Sequence, residues 1–247
     1  MLNIVVPMAG LGSRFTKEGY TKPKPLIDVH DKPMIHLVID NLRPKCVHRF
    51  IFICQEEHDE TYGISDKLSK WAPHSEIILI DGVTEGAACT VLKAIHLINK
   101  DDPLMIANSD QYIDVDINNY LEHGLNENLD GLIMTMYAND SKWSYALLGK
   151  DKYVKKVVEK EVVSNEATVG IYNFRKGRDF VEAAEKMIAL DMRVNNEFYV
   201  APVYNMLIDN KAHIGVFNIG SVGDGMYGLG TPADLEYFLE QPVSKKC

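Results

Sequence analysis

The chain opens on a short apolar run, Leu2 to Val6, and directly behind it the residues read Pro7-Met8-Ala9-Gly10-Leu11-Gly12-Ser13-Arg14-Phe15. An apolar run of that length bounded by proline and glycine reads as a buried strand. A glycine-rich turn leaving such a strand can face successive backbone N–H groups outward, because glycine adopts conformations that a Cβ forbids. Backbone donors arranged in this way wrap anionic oxygens. Two common phosphate loops do not fit. The GxxxxGK[ST] loop is absent, and the dinucleotide pattern GxGxxG fails because Phe15 stands where its last glycine belongs. What remains is a loop whose charge comes from Arg14 and from lysines further on. Tyr20-Thr21-Lys22-Pro23-Lys24-Pro25-Leu26 supplies them, so that between residues 14 and 24 the groups Arg14, Lys17, Lys22 and Lys24 face one acid, Glu18. Prolines on both sides of Lys24 restrict the backbone and with it the direction of that ammonium.

The cationic patch is local. The 247 residues carry 26 Lys plus Arg against 35 Asp plus Glu, a formal charge of −9. Such a balance argues against a general nucleic-acid or anionic-membrane binder, while a cluster of cations still holds a small anion at short range. Cys46, Cys54, Cys89 and Cys247 form no CxxC pair, and the eight histidines show no HxxxH or HxH spacing, which speaks against a zinc or thioredoxin-type site. No basic leader opens the chain, and no apolar stretch approaches the ~20 residues that span a bilayer. The expectation is a cytoplasmic protein with reduced thiols and no nucleic-acid or membrane partner, self-association being left open.

Further along, short apolar runs alternate with helical patterns. Arg49 to Cys54, Glu76 to Ile80 and Leu104 to Ala107 read as strands; Pro33 to Leu42 and Ala87 to Ile98 read as helices. That alternation predicts an α/β fold, a mostly parallel sheet with helices on both faces. The second half changes character. Residues 131–138, 145–148, 154–159 and 168–174 are closely spaced strand candidates, followed by helices at about 176–189, 197–208 and 232–239, and the tail after Gln241 looks loose. One domain over residues 1–247 is expected, with a nucleotide-binding half to about residue 115 and an acceptor-binding half from about 116 to 240.

Gly10-Leu11-Gly12-Ser13-Arg14 followed by Pro23-Lys24-Pro25-Leu26 resembles the signature of the sugar-phosphate nucleotidylyltransferases. The resemblance covers nearly the whole chain and implies a Rossmann-like, GT-A-type fold. It also implies Mg²⁺ as cofactor and, as partners, a nucleoside triphosphate and a small phosphorylated acceptor, joined with release of pyrophosphate. By the same resemblance Met8, Ala9, Gly10, Gly12 and Ser13 bind the nucleotide, and Arg14 and Lys24 are catalytic. Glu85-Gly86-Ala87 is similar to the turn that reads the nucleobase. Ionised Glu85 only accepts hydrogen bonds, which suits the exocyclic amine of cytosine. Asp110, in Ala107-Asn108-Ser109-Asp110 at a strand end, matches the family's Mg²⁺ aspartate, and hard cations favour such carboxylates.

The family's second metal aspartate is expected where Gly228 stands in Gly228-Leu229-Gly230-Thr231-Pro232, and Asp224 is the candidate replacement. Glu159, Lys160, Gly170 and Glu197 match acceptor-binding positions. Adjacent strand residues point to opposite faces, so Glu159 and Lys160 can share one pocket only at a bulge or strand end. Gly19 to Pro25 and residues 195–205 look like members linked to surface-polysaccharide synthesis, including the type that joins CTP to phosphoglutamine for a capsule. Two rival readings stay open. Asp114-Val115-Asp116 is a DxD of the kind glycosyltransferases use, although Asp116 also suits a helix cap near Ile117. A non-catalytic nucleotide-binding regulator is the other.

Overall fold

The structure, a computed structural model, describes residues 1–246. In the first half, β1 (Leu2–Pro7), β4 (His48–Gln55), β5 (Glu76–Ile80) and β6 (Leu104–Ala107) alternate with α1 (Ser13–Lys17), α2 (Met34–Asn41), α3 (Glu56–Tyr62), α4 (Ile64–Trp71), α5 (Ala87–Leu92) and α6 (Ile95–Ile98). A separate two-stranded hairpin, β2 (Asp28–Val29) with β3 (Lys32–Pro33), precedes α2. The second half contains β7 (Gln111–Ile113), α7 (Ile117–Asn126), β8 (Gly131–Tyr137), β9 (Ser144–Leu148), β10 (Val154–Glu159), β11 (Glu166–Phe174), α8 (Gly177–Ala189), α9 (Tyr204–Asp209), β12 (Ile214–Val222), β13 (Gly225–Gly228) and α10 (Pro232–Glu240).

The main sheet runs β5-β4-β1-β6-β11-β8-β12-β13-β7, with β9 joined to β11 and β10 to β9. Five of the eight neighbouring pairs on that path are parallel. The strand period of two divides its side chains between two cores. In β1, Ile4 and Val6 enter one core and Val5 the other; in β4, Phe50 and Phe52 oppose Ile51 and Ile53. Helices α2, α4 and α7 cover the first face, and α5, α6, α8 and α9 the second. The α/β expectation is thus met: a mixed, mostly parallel sheet between two helical layers.

A third core lies to one side. Phe15 of α1, Ile27, Met34 and Leu37 pack there against Tyr227, Leu229, Leu235 and Phe238, so the first and last parts of the chain meet. Val243 joins this cluster, and the Ser244 hydroxyl donates to the Leu239 and Gln241 carbonyls. The tail after Gln241 is therefore packed rather than loose, with residues 242–246 in a 3-10 turn. Cys247 lies outside the described residues.

Two other expectations change. The pattern from residue 87 to 98 breaks into α5 and α6, because the N–H groups of Lys93 and Ala94 bond three residues back, to Thr90 and Val91, and tighten the turn. Residues 197–200 are not helical. Phe198 donates its N–H to the Glu85 carbonyl and accepts from the Ala88 N–H, which ties this stretch to the turn before α5; a 3-10 turn over Ala201–Val203 follows, and helix α9 starts only at Tyr204.

Candidate active site

A cleft of about 560 Å³ opens beyond the carboxyl ends of β1 and β6, where ligands collect in sheets of this kind. Of the glycine-rich loop and the helix it opens, only Arg14 lines the cleft; Gly10, Gly12 and Ser13 lie beside it, outside the lining. Met8 and Ala9 bury their side chains, so only their backbone serves the loop. The Met8 N–H donates to Ile53 O at 2.9 Å, and the buried Gln55 amide donates to Ala9 O at 2.6 Å. Beyond these anchors, no protein group among the described residues accepts from the N–H groups of Gly10 to Arg14.

Gly12 has φ +60°, and a Cβ there would stand 3.1 Å from Lys24 Cβ, so the loop seats Lys24 against it. Lys24 Nζ reaches Asp110 Oδ2 at 2.8 Å, with the two side chains 20% and 24% exposed. The rest of the cationic patch divides: Arg14 lines the cleft, Lys22 pairs with Asp28 at 2.6 Å, and Lys17 is exposed outside the lining.

The Glu85-Gly86-Ala87 turn reaches the cleft through Ala87 alone. Gly86 has φ +130°, and a Cβ would lie 2.5 Å from both the N and the O of Phe198, so the turn and the 197–200 segment fit only through glycine. Ala87 lines the cleft. Glu85 does not: its carboxylate is 63% exposed and bonds Arg193 Nη1 at 2.6 Å. Arg193 also stacks over Phe198, 4.5 Å from the ring centroid. The cytosine argument from Glu85 therefore has no footing in the geometry.

Asp110 stands in the cleft, with its carbonyl accepting from the Leu229 N–H at 2.8 Å. The register separates Asp224 from it. In the β13–β7 pairing Gly228 faces Gln111 and Met226 faces Ile113, so Asp224 sits toward the Asp114 end and Asp110 at the opposite end. Four strand residues correspond to roughly 13 Å, too far for one cation to bridge. Asp224 is not brought to the cleft. Asp234, in the first turn of α10, is there instead. A Cβ on Gly228 would lie 3.6 Å from Asp234 Cγ, and one on Gly230 would lie 2.9 Å from Asp110 Oδ2. Both glycines thus leave room beside a carboxylate. Thr231 fixes Asp234 by reciprocal capping: Thr231 Oγ1 donates to Asp234 Oδ2 at 2.7 Å and accepts from its N–H at 3.1 Å. A Thr-Pro-x-Asp helix start was the sequence signal for this residue.

The far end holds Glu159 and Lys160. Glu159 ends β10, and Lys160, immediately after, has φ +61°. That left-handed step brings both side chains to one cleft, as a strand end had to. Glu159 Oε1 is 3.2 Å from Lys160 Nζ, and Ser144 donates to Oε2. Lys160 Nζ also donates to the Lys142 carbonyl and lies 5.6 Å from the Tyr199 ring centroid. Trp143 and Thr168 complete this wall. Burial, then Glu197 and Glu159 nearby, pushes the Tyr199 hydroxyl up to about 12. Gly170 (φ +84°) lines the cleft with Asn108, whose amide occupies the space of a Cβ, 2.1 Å away. Glu197 is exposed beside the tight turn at Asn195 and Asn196, both with positive φ, and Tyr199 takes the wall position in its place. Asp116 caps α7, accepting from the Asn118 N–H at 2.9 Å, which is the helix-cap reading of the DxD.

Residues 4–198 match the nucleotidyl transferase family. The chain belongs to that family. A curated relative, the mannose-1-phosphate guanyltransferase of Hypocrea jecorina, is 25% identical over 192 residues, 69% of this chain and 48% of that protein; the chain spans about half the length of the relative. Among solved structures, the nucleoside-diphosphate-sugar pyrophosphorylase from Vibrio cholerae RC9 superposes with a TM-score of 0.82 at 24% identity, covering 96% of this chain and all of that one. The inositol-1-phosphate CTP transferase from T. maritima gives a TM-score of 0.72 at 15% identity, covering 98% and 93%. These neighbours share the nucleotidyl transferase fold. Among the described residues no helix is long and apolar enough to cross a membrane.

Proposed function

We propose that this member of the nucleotidyl transferase family joins a nucleoside triphosphate to a small phosphorylated acceptor and releases pyrophosphate. The observation that carries the reading is the cleft's order of charge. Arg14 and the Lys24–Asp110 pair bring charge to the cleft where it adjoins the glycine loop, and Glu159 with Lys160 forms a second charged cluster in its lining. The first suits the triphosphate and the second the acceptor phosphate. CTP ranks first among triphosphates, and a phosphosugar or a phospho-amino acid such as phosphoglutamine ranks first among acceptors. The support is the resemblance to capsule-linked members, and a role in capsule or surface-polysaccharide synthesis follows from it.

The reaction is an in-line attack by an acceptor phosphate oxygen on the α-phosphorus, and no covalent nucleophile is needed. Loop N–H groups from Gly10 to Ser13, with Arg14, hold the β- and γ-phosphates that leave. Lys24 turns from Asp110 to the α-phosphoryl oxygens and stabilises the charge that develops there. Lys160 holds the incoming phosphate, and Glu159 orients the rest of the acceptor. The donor set fits Mg²⁺: two carboxylates, Asp110 and Asp234, beside bare glycines and the substrate phosphates. Mg²⁺, when bound, supplies charge neutralisation on the α-phosphoryl group.

The test is pyrophosphate release with each of the four ribonucleoside triphosphates against a panel of phosphosugars and phospho-amino acids. Turnover with one pair supports the reading. Triphosphate binding without turnover on any acceptor would instead favour a nucleotide-binding regulator.

A further inference from the structure

Glu159 presents a problem of electrostatics. Its side chain is only 2% exposed, and a buried carboxylate is costly unless paired and hydrogen-bonded. Two groups hold it: Lys160 on Oε1 and Ser144 on Oε2. The proposed function draws Lys160 toward the acceptor phosphate, which leaves Ser144 alone on the carboxylate.

Ser144 is built for that task. It opens β9 directly opposite Glu159 in the β9–β10 register, so a rigid antiparallel pair sets its position. It is itself buried, and it lines the same cleft. The Lys160 N–H donates to Trp143 O at 3.1 Å, which locks the backbone on either side of the pair.

We infer that Ser144 is a positioning residue for the acceptor: its hydroxyl fixes Glu159 Oε2, so that Oε1 is the oxygen presented to the acceptor when Lys160 moves to the phosphate. An acceptor answering this arrangement is a phosphomonoester that also carries an O–H or N–H donor for Oε1. Without such a donor the buried oxygen stays unpaired, and the enzyme rejects the molecule. This inference rests on the nucleotidyl-transfer reading.

Pyrophosphate release is measured with wild type, Ser144→Ala, Glu159→Ala and the double variant, at saturating triphosphate and varied acceptor, using the acceptor from the panel that wild type turns over fastest. A hydrogen bond to a buried charge sets the scale: Ser144→Ala raises the acceptor KM about 10-fold and leaves the triphosphate KM within about 2-fold. In the Glu159→Ala background the same substitution adds almost nothing, because the group it acts through is gone. An unchanged acceptor KM in Ser144→Ala, or a full additional loss on top of Glu159→Ala, overturns the role. A wild type that turns over no acceptor overturns the nucleotidyl-transfer reading and this role with it. Thermal unfolding of each variant confirms that all four are folded.

Discussion

Lys24 and Asp110 occupy each other in the free protein, 2.8 Å apart and partly exposed. Replacing Lys24 by Met removes a preorganised charge, and turnover measured by pyrophosphate release should fall at least ~100-fold. Tm should fall modestly, since the largely buried Asp110 carboxylate loses its partner. The same variant frees Asp110. Mn²⁺ titrated by electron paramagnetic resonance without nucleotide should bind tighter to Lys24→Met than to wild type; equal affinity would show that the lysine does not compete for that carboxylate. Tyr199 gives a pH signature. Its hydroxyl is raised to about 12 from the ordinary value of 10.0, so the neutral form is favoured by the fold. The stability this contributes is complete below pH 10 and is lost as pH rises toward 12. Tyr199→Phe should therefore flatten the fall of Tm across that window.

At the scale of elements, Gly86 packs its turn directly on the backbone of Phe198. Ala at this position would put its Cβ 2.5 Å from the Phe198 backbone at φ +130°. Gly86→Ala should cost on the order of 2 kcal/mol in urea unfolding and raise the triphosphate KM. The helix expected over residues 197–208 failed at this joint. Its apolar spacing looks helical, but the carbonyl of Glu85 and the N–H of Ala88, more than a hundred residues earlier, claim the backbone of Phe198. No local pattern contains that pairing. Strands β5, β6 and β10 were legible to the residue, because each is a bounded run of strand-forming residues. Strand β12 was not read, since Gly215, Asn218 and Gly220 interrupt its apolar run, although β8 and β13 flank it in the sheet. Motifs alone single out Asp110, Glu159 and Lys160, which line the cleft, and Lys24, which bonds Asp110. Asp234 was missed because it reads as an ordinary cap, and Asp224 was preferred because sequence distance hides which end of a strand a residue occupies.

For the molecule as a whole, the third core makes the glycine loop depend on segments far apart in the sequence. Phe238 of α10 is fully buried against the cluster that holds Phe15 of the loop helix. Phe238→Ala should lower stability by about 3 kcal/mol and weaken triphosphate binding, measured by calorimetry, through loss of support behind the loop. The acidic surface, −9 overall, leaves the cationic groups of the cleft as a local exception. The third core also sets a schedule for the growing chain. The glycine loop is translated more than two hundred residues before its brace, Leu235 and Phe238. At translation rates of ~5–20 residues per second that delay is roughly 10–50 s. During it the nascent chain exposes Phe15 and leaves the glycine loop without the packing that later holds it.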